Sequence, residues 1–303
     1  MSSLLTNASA MTALQTLTNI NKDLATTQNR ISTGLRVNEA SDNAAYWSIA
    51  TTMRSDNKAN SVVQDALGLA AGKVDTAYTA MDSAKDVVDQ IKEKVLLAKT
   101  SSTEDRTKIQ SEITALQAQL TETAAASYAG SSLLTTDPAG ATSFSVISSY
   151  SRDAAGAVTT GQISVALGDI RLIDSVGDTG ILDTTFTTTG AGAATASVLT
   201  LDVTAANLDD TDFNDMLTGI EAALSDVSTG AASLGAAKSR IDLQTSFTSA
   251  LMDAIDRGVG QLVDADMNEE STRLAALQTQ QQLGIQALSI ANSNAQSILS
   301  LFR

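Results

Sequence analysis

From Leu274 to Phe302 the chain runs for 29 residues without one charged side chain. Within that run Leu274, Leu277, Gly284, Leu288, Ala291, Ala295, Ile298 and Phe302 recur at heptad spacing, with Gln281 interposed. Leu283, Ile285, Ile290, Leu299 and Leu301 broaden the stripe beyond a narrow seam. The pattern predicts a helix about 44 Å long at 1.5 Å per residue. A helix on a solvated surface turns a charged face to water. Here the faces beside the stripe carry Ser, Asn, Gln and Ala, so every side is fit to be covered. The opening of the chain repeats the theme. Ala10, Ala13, Leu17, Ile20, Leu24 and Ile31 step by threes and fours with Thr27 interrupting, Leu14 lies beside them, and the first side-chain charge is Lys22. One such helix would suit the centre of a globular bundle. Two, at opposite ends of one chain, favour a core built between molecules.

Between the ends the signal changes. Val63, Leu67, Ala70, Val74, Ala77, Met81, Ala84, Val88, Ile91, Val95 and Ala98 keep a 4-3 alternation, with ordinary charges at the outer positions. Thr100 to Thr103 breaks it, and Ser101 with Glu104 reads as a capping box for a second helix carrying Ile109, Ile113, Leu116 and Leu120. So short a break implies an antiparallel hairpin. A third stripe runs Phe213, Leu217, Ile220, Leu224, Val227, Ala231, Leu234 and continues irregularly through Ile241, Phe247, Leu251, Ile255 and Leu262. Residues 129–205 hold nine of the eighteen glycines, the lone Pro138 and short alternating runs such as Ile163-Val165-Leu167. They predict strands and turns in a small exposed insertion. The fold class expected is therefore mainly α: a long antiparallel coiled-coil hairpin formed by the N- and C-terminal segments, with a small β-rich centre.

Composition closes off several functions. A formal charge of −15 argues against nucleic acid and anionic membrane surfaces. Without Cys or His there is no thiol chemistry, and the commonest general base and metal ligand are missing. No catalytic, cofactor-binding or metal-binding residues are expected, and no cofactor. Asp209, Asp210, Asp212 and Asp215 are the densest acids, but they precede a helix whose first turn favours acids, and an EF-hand would also need its Gly and terminal Glu. Tyr46 and the single tryptophan, Trp47, read as core. No window reaches membrane-spanning length, and no cleaved signal peptide is expected from residues 1–21.

The stretch RISTGLRVNEASDNAA, Arg30 to Ala45, resembles the N-terminal signature of bacterial flagellins. The tail MNEESTRLAALQTQQQLGIQALSIANSNAQSILSLFR, Met267 to Arg303, resembles their C-terminal one. The resemblance implies a structural subunit that assembles head-to-tail into a hollow filament for swimming, and not an enzyme. It implies that 1–38 and 262–303 form the filament-core coiled coil with its spokes, that 39–135 and 205–261 form a helical tube, and that 136–204 is a solvent-facing insertion. Leu14, Leu17, Ile20, Leu24, Ile31, Leu274, Leu277, Leu288, Ile298, Leu301 and Phe302 would pack between subunits. Arg30, Gly34, Leu35, Arg36, Asn38, Asp42 and Asn43 carry the signature, and Gly258 and Gly260 would break the helix on the returning spoke. The implied partners are copies of the chain, other flagellins able to co-assemble, the flagellar export apparatus, and cap and hook-associated proteins. The implied place is the extracellular filament, reached without signal cleavage. A hook–filament junction protein, with similar terminal helices, is the alternative. In enteric-type flagellins an innate immune receptor detects a Leu-Gln-Arg patch; the corresponding positions are Val88, Asp89 and Gln90, which predicts weak recognition.

Overall fold

The computed structural model describes residues 7–137, 140–153, 155–174, 176 and 179–301, and side chains as far as Ser293. Its helices are α1 (Ala8–Thr33), α2 (Ala44–Lys99), α3 (Thr103–Ala124), α4 (Asp210–Val263) and α5 (Met267–Leu301). Six strands lie between α3 and α4: β1 (Thr135–Thr136), β2 (Ser143–Arg152), β3 (Val158–Ala166), β4 (Ile173–Asp174), β5 (Phe186–Thr187) and β6 (Thr195–Ala196). The chain divides into two compact units, Met1–Asn57 with Asp253–Arg303, and Lys58–Met252.

In the first unit α1 and α5 pair along their length. Asn7 accepts from the Ala10 amide to start α1, and Gly34 ends it in the left-handed region (φ 73°), its amide on the Arg30 carbonyl. Gly suits that position because a Cβ there would be strained. Asp266 caps α5, accepting from the amides of Asn268 and Glu269. The direction of pairing is read from its cross-links: Asn7 to Ala291, Asn21 to Gln281, and Arg30 to Glu270. As one number rises the other falls, so the helices are antiparallel.

The other unit holds the largest core. All eleven heptad positions from Val63 to Ala98 are buried. They meet Ile109, Ile113 and Leu120 of α3 and Phe213, Ile220, Val227 and Leu234 of α4. The turn into α3 is capped one residue later than expected. Ser102 accepts from the Asp105 amide and donates to the Asp105 carboxylate, since a Ser-Ser followed by Glu-Asp offers two registers and the chain uses the second.

The segment 136–204 leaves much of β2 and β3 exposed and turns its apolar side to the helices of its own unit. Ile163, Val165, Leu167, Ile170, Leu172, Leu182, Val198, Leu201 and Val203 belong to the same cluster as the helical heptads. Two glutamines of α3 explain the docking. Gln110 donates to the Leu201 carbonyl and accepts from the Val203 amide, and Gln117 donates to the carbonyls of Val198 and Leu201. Backbone groups that pair with no strand are thereby satisfied against the helix. The strands form three two-stranded sheets: an antiparallel β2–β3 hairpin with a bulge at Ile147/Ser149, an antiparallel β5–β6 pair, and a parallel β1–β4 pair.

Candidate functional site

The terminal helix pair concentrates the residues marked in the sequence. Along α1, Ala10, Ala13, Leu17, Ile20, Leu24 and Ile31 are half-buried and Thr27 is buried. Along α5, Leu274, Gln281, Gly284, Leu288 and Ala291 are half-buried, while Leu277 is buried. These positions make one 3-4 seam inside a single subunit. So Leu17, Ile20, Leu24, Ile31, Leu274, Leu277 and Leu288 already face a partner helix of their own chain. Leu14 does not. It sits one residue, about 100°, round the helix from Ala13, and is 55% exposed. Phe302, and the side chains of Ile298 and Leu301, lie outside the described residues.

Outside the seam a few large apolar side chains stand exposed among uncharged polar ones. Met11, Leu14, Leu283, Ile285 and Ile290 are each more than half exposed. Leu283 and Ile290 lie on one flank of α5 and Ile285 on the other, and from Leu274 to Ser293 no charged residue interrupts either.

At the base of the pair the signature residues build a junction. Leu35 bridges to Asp264, the amides of Arg36 and Val37 both donate to the Val263 carbonyl, and the Ala265 amide donates to Gly34. Arg36 also donates to the Leu262 carbonyl at 3.0 Å. A small apolar cluster of Val37, Ala50, Val259 and Val263 lies beneath. Asp42 accepts from the amides of Asn38 and Glu39 at 3.0 and 3.1 Å. Those amides, chiefly Glu39's, hold its carboxyl below the usual range against a small opposing burial, with the Arg30 charge adding to them. Asn43 accepts from the Tyr46 amide and starts α2.

Two expectations are corrected here. Gly258 and Gly260 do not break a helix, because α4 continues to Val263. Their smallness serves packing: a Cβ on Gly258 would meet Met53 at 3.1 Å, and one on Gly260 would meet the Asp264 carboxylate at 2.7 Å. Tyr46 and Trp47 are not core; they are 42% and 38% exposed, beside an exposed Ile49.

The buried charge that the sequence pattern passed over is Glu270. It is 5% exposed, with Arg30 at 3.0 Å and Arg273 at 3.5 Å, both on Oε1. Its Oε2 has no partner. It lies four residues before Leu274, on the same seam, and that spacing was the available signal. Arg30, Arg36, Arg257 and Arg273 line an open cleft of about 900 Å³ beside it, with Asp256, Asp264 and Glu269 among them.

Two further sets of residues resolve plainly. Asp209 caps α4, accepting from the amides of Thr211 and Asp212. Asp212 and Asp215 hold the loop 188–194, through the amide of Gly192 and through the amide and hydroxyl of Thr189. Burial pushes the Asp212 carboxyl up, but bonds from the Asp209 and Gly192 amides, the Thr188 hydroxyl and the Gly190 amide outweigh it and bring it down to about 2. No cluster fit for a metal occurs among the described residues. Of the receptor-patch positions, Val88 is buried in the core, and only Asp89 and Gln90 reach the surface.

Residues 4–137 match the bacterial flagellin N-terminal helical region and residues 217–302 the bacterial flagellin C-terminal helical region. The chain is 54% identical over 307 positions to Flagellin of Brucella melitensis biotype 1, covering the whole of both chains. It is 47% identical over 322 positions to Flagellin C of Rhizobium meliloti strain 1021 and 44% over 396 positions to Flagellin A of Rhizobium meliloti, again covering both chains completely.

Proposed function

The chain belongs to the bacterial flagellin family, and from that premise we propose which of its surfaces carry out assembly. As a flagellin it is a structural protein and not an enzyme, a subunit that self-assembles into the extracellular flagellar filament. Nothing favours the hook-junction alternative.

The working surface in this reading is the outside of the α1/α5 pair. The observation that carries it is the exposure of Met11, Leu14, Leu283, Ile285 and Ile290 on flanks of α1 and α5 that carry no charge around them. A two-helix pair gains too little from propensity and one narrow seam to stand alone in water. Packed among copies of itself it buries seam and flanks together, and orders as it does so. The contact is head-to-tail, so it propagates as an open helix rather than closing. Segments 1–38 and 262–303 then form the filament core with its spokes. Segments 39–135 and 205–261 form the surrounding tube, and 136–204 packs on the tube helices. Leu14 turns to a neighbouring subunit, whereas Leu17, Ile20, Leu24, Ile31, Leu274, Leu277 and Leu288 serve first the pair within one subunit. Ile298, Leu301 and Phe302 extend the core beyond the described side chains.

Export through the flagellar secretion apparatus without signal cleavage fits the same reading, because ends that order only on assembly stay extended until they are placed. The cap and hook-associated proteins, and other flagellins expressed alongside, would meet the same terminal surfaces. Deleting 274–303 tests the reading. The truncated chain should keep the helical circular dichroism of α2, α3 and α4 yet add to no filament seed under the electron microscope. Polymer from the truncated chain would overturn the assignment of α5 to the core.

A further inference from the structure

The seam between α1 and α5 has a weakness that its own regularity creates. Ala10, Ala13, Leu17, Ile20 and Leu24 face Leu274, Leu277, Gln281, Gly284 and Leu288 in a pattern that repeats every seven residues. Sliding one helix by a heptad, about 10.5 Å, would again set small and aliphatic side chains against one another. No apolar position forbids it.

We propose that Glu270, read across the seam by Arg30, fixes the heptad register of the pair. The proposal rests on the reading that α1 and α5 of one subunit stay paired in the filament. Glu270 is the one acid of α5 that lies on the seam, and it is buried. Its carboxylate meets Arg30 on the opposite helix at 3.0 Å. Arg273 also touches it at 3.5 Å, but from the same helix, three residues on. Arg273 therefore travels with Glu270 in any slide and carries no information about register. Arg30 alone does.

A slide takes Glu270 away from Arg30 in either direction. One way sets it near the level of Asp23, a like charge. The other carries it past Thr33, where α1 ends. Its Oε2 is unpartnered even in the native register, so a slipped state would leave a buried charge poorly satisfied, the costliest defect open to such a seam. Other cross-links sit at the native level too: Gln281 donates to Asn21 at 2.7 Å and Asn7 to the Ala291 carbonyl at 3.0 Å. The Asn21–Gln281 bond is exposed and adds little discrimination. Glu270 is also next to the junction where the Ala265 amide donates to Gly34, a bond that a slipped pair would have to break.

The chain has no cysteine, so paired cysteines report register without interference. Asn21→Cys with Gln281→Cys forms a disulfide within one subunit in the native register, and Asn21→Cys with Leu274→Cys forms one after a heptad slide. Each pair is placed in the full chain, assembled on seeds, oxidised, and resolved on gels that separate linked monomers from dimers. The otherwise unaltered chain should yield the first link and only background of the second. Glu270→Gln should raise the slipped link about tenfold, a register preference weakened by about 1.4 kcal/mol. Arg273→Gln should leave it at background. If Glu270→Gln does not assemble, the charge reversal Arg30→Glu, Glu270→Arg, Arg273→Glu decides: assembly with the native link supports the proposal, and failure to assemble overturns it. Glu270→Gln filaments that give only the native link also overturn it. Absence of the native link in the unaltered background sinks the pairing itself, a different failure from the loss of register control.

Discussion

Leu277 and Leu67 are the same side chain in two settings, and cutting each to alanine separates the energy of assembly from the energy of the folded unit. Leu277 is 8% exposed in the α1/α5 seam, and Leu67 is fully buried in the core of unit Lys58–Met252. Leu→Ala at buried sites costs about 2–5 kcal/mol, with the value set by how far the surroundings can close over the gap. A two-helix seam with open flanks can close, so Leu277→Ala belongs near about 2 kcal/mol. Leu67 is enclosed on all sides and belongs near about 3 kcal/mol. If the terminal pair orders only as a subunit joins the filament, the whole cost of Leu277→Ala falls on polymerisation. The critical concentration should then rise about 30-fold, at tenfold for each 1.4 kcal/mol. Melting of the free subunit should not change. Leu67→Ala should do the reverse: melting falls by about 6–12 °C, at about 2–4 °C per kcal/mol for a unit of this size. Its critical concentration should move little. The assays are pelleting of seeded polymer with the residual monomer measured in the supernatant, and circular dichroism melts of the free subunit. A Leu277→Ala subunit that melts lower while polymerising at the parental concentration would refute the reasoning, because the pair would then be folded before assembly.

Two other predictions rest on single residues. The Asp212 carboxyl sits at about 2 in the fold, below its unfolded value of about 3.9. Its stabilisation is thus complete above about pH 4 and lost as the pH falls through about 2. The melting temperature of Asp212→Asn should lie below the parent's at pH 7 and converge with it near pH 2, and a gap that persists there would assign the effect to shape rather than charge. At the receptor-patch positions Val88 is buried and the surface offers an acid and an amide, Asp89 and Gln90. Purified subunit should therefore evoke little reporter signal in cells bearing the innate flagellin receptor, and a full response would refute the mapping.

The helical core was legible because one physical rule, apolar residues at heptad spacing, decides both its helices and their faces. All eleven positions from Val63 to Ala98 are buried. The seam of the terminal pair was legible for the same reason, down to the interruption at Thr27. Glu270 was missed because α5 was recognised by its lack of charge, which set the start of the stripe at Leu274 and excluded the charged residue one step earlier. The docking of 136–204 was not legible either. It depends on Gln110 and Gln117, which in sequence look like solvated positions of α3 and in the fold bind the backbone of a segment some ninety residues away. Gly258 and Gly260 show the opposite error. A glycine in a helix reads as a break when only propensity is considered, whereas here the missing Cβ admits Met53 and Asp264.

The uncharged flanks of the terminal pair have a second property that bears on assembly. Covering a polar surface is costly where hydroxyls lose their water and find no other partner. On α1 the hydroxyls of Thr12, Thr16, Thr18, Thr26 and Thr33 each donate to the carbonyl four residues back, at 2.8 to 3.1 Å. On α5, Thr272 and Thr279 do the same, at 2.8 and 3.0 Å. A threonine bonded to its own helix has its hydroxyl proton already satisfied. A lysine or glutamate in its place would have to be paired or neutralised before it could be covered. These threonines therefore oppose burial little. They keep the face soluble enough to travel as a monomer, yet close to apolar in cost once a neighbour arrives. Leu14, between Ala13 and the back-bonded Thr16 and Thr18, is the side chain such a neighbour would find.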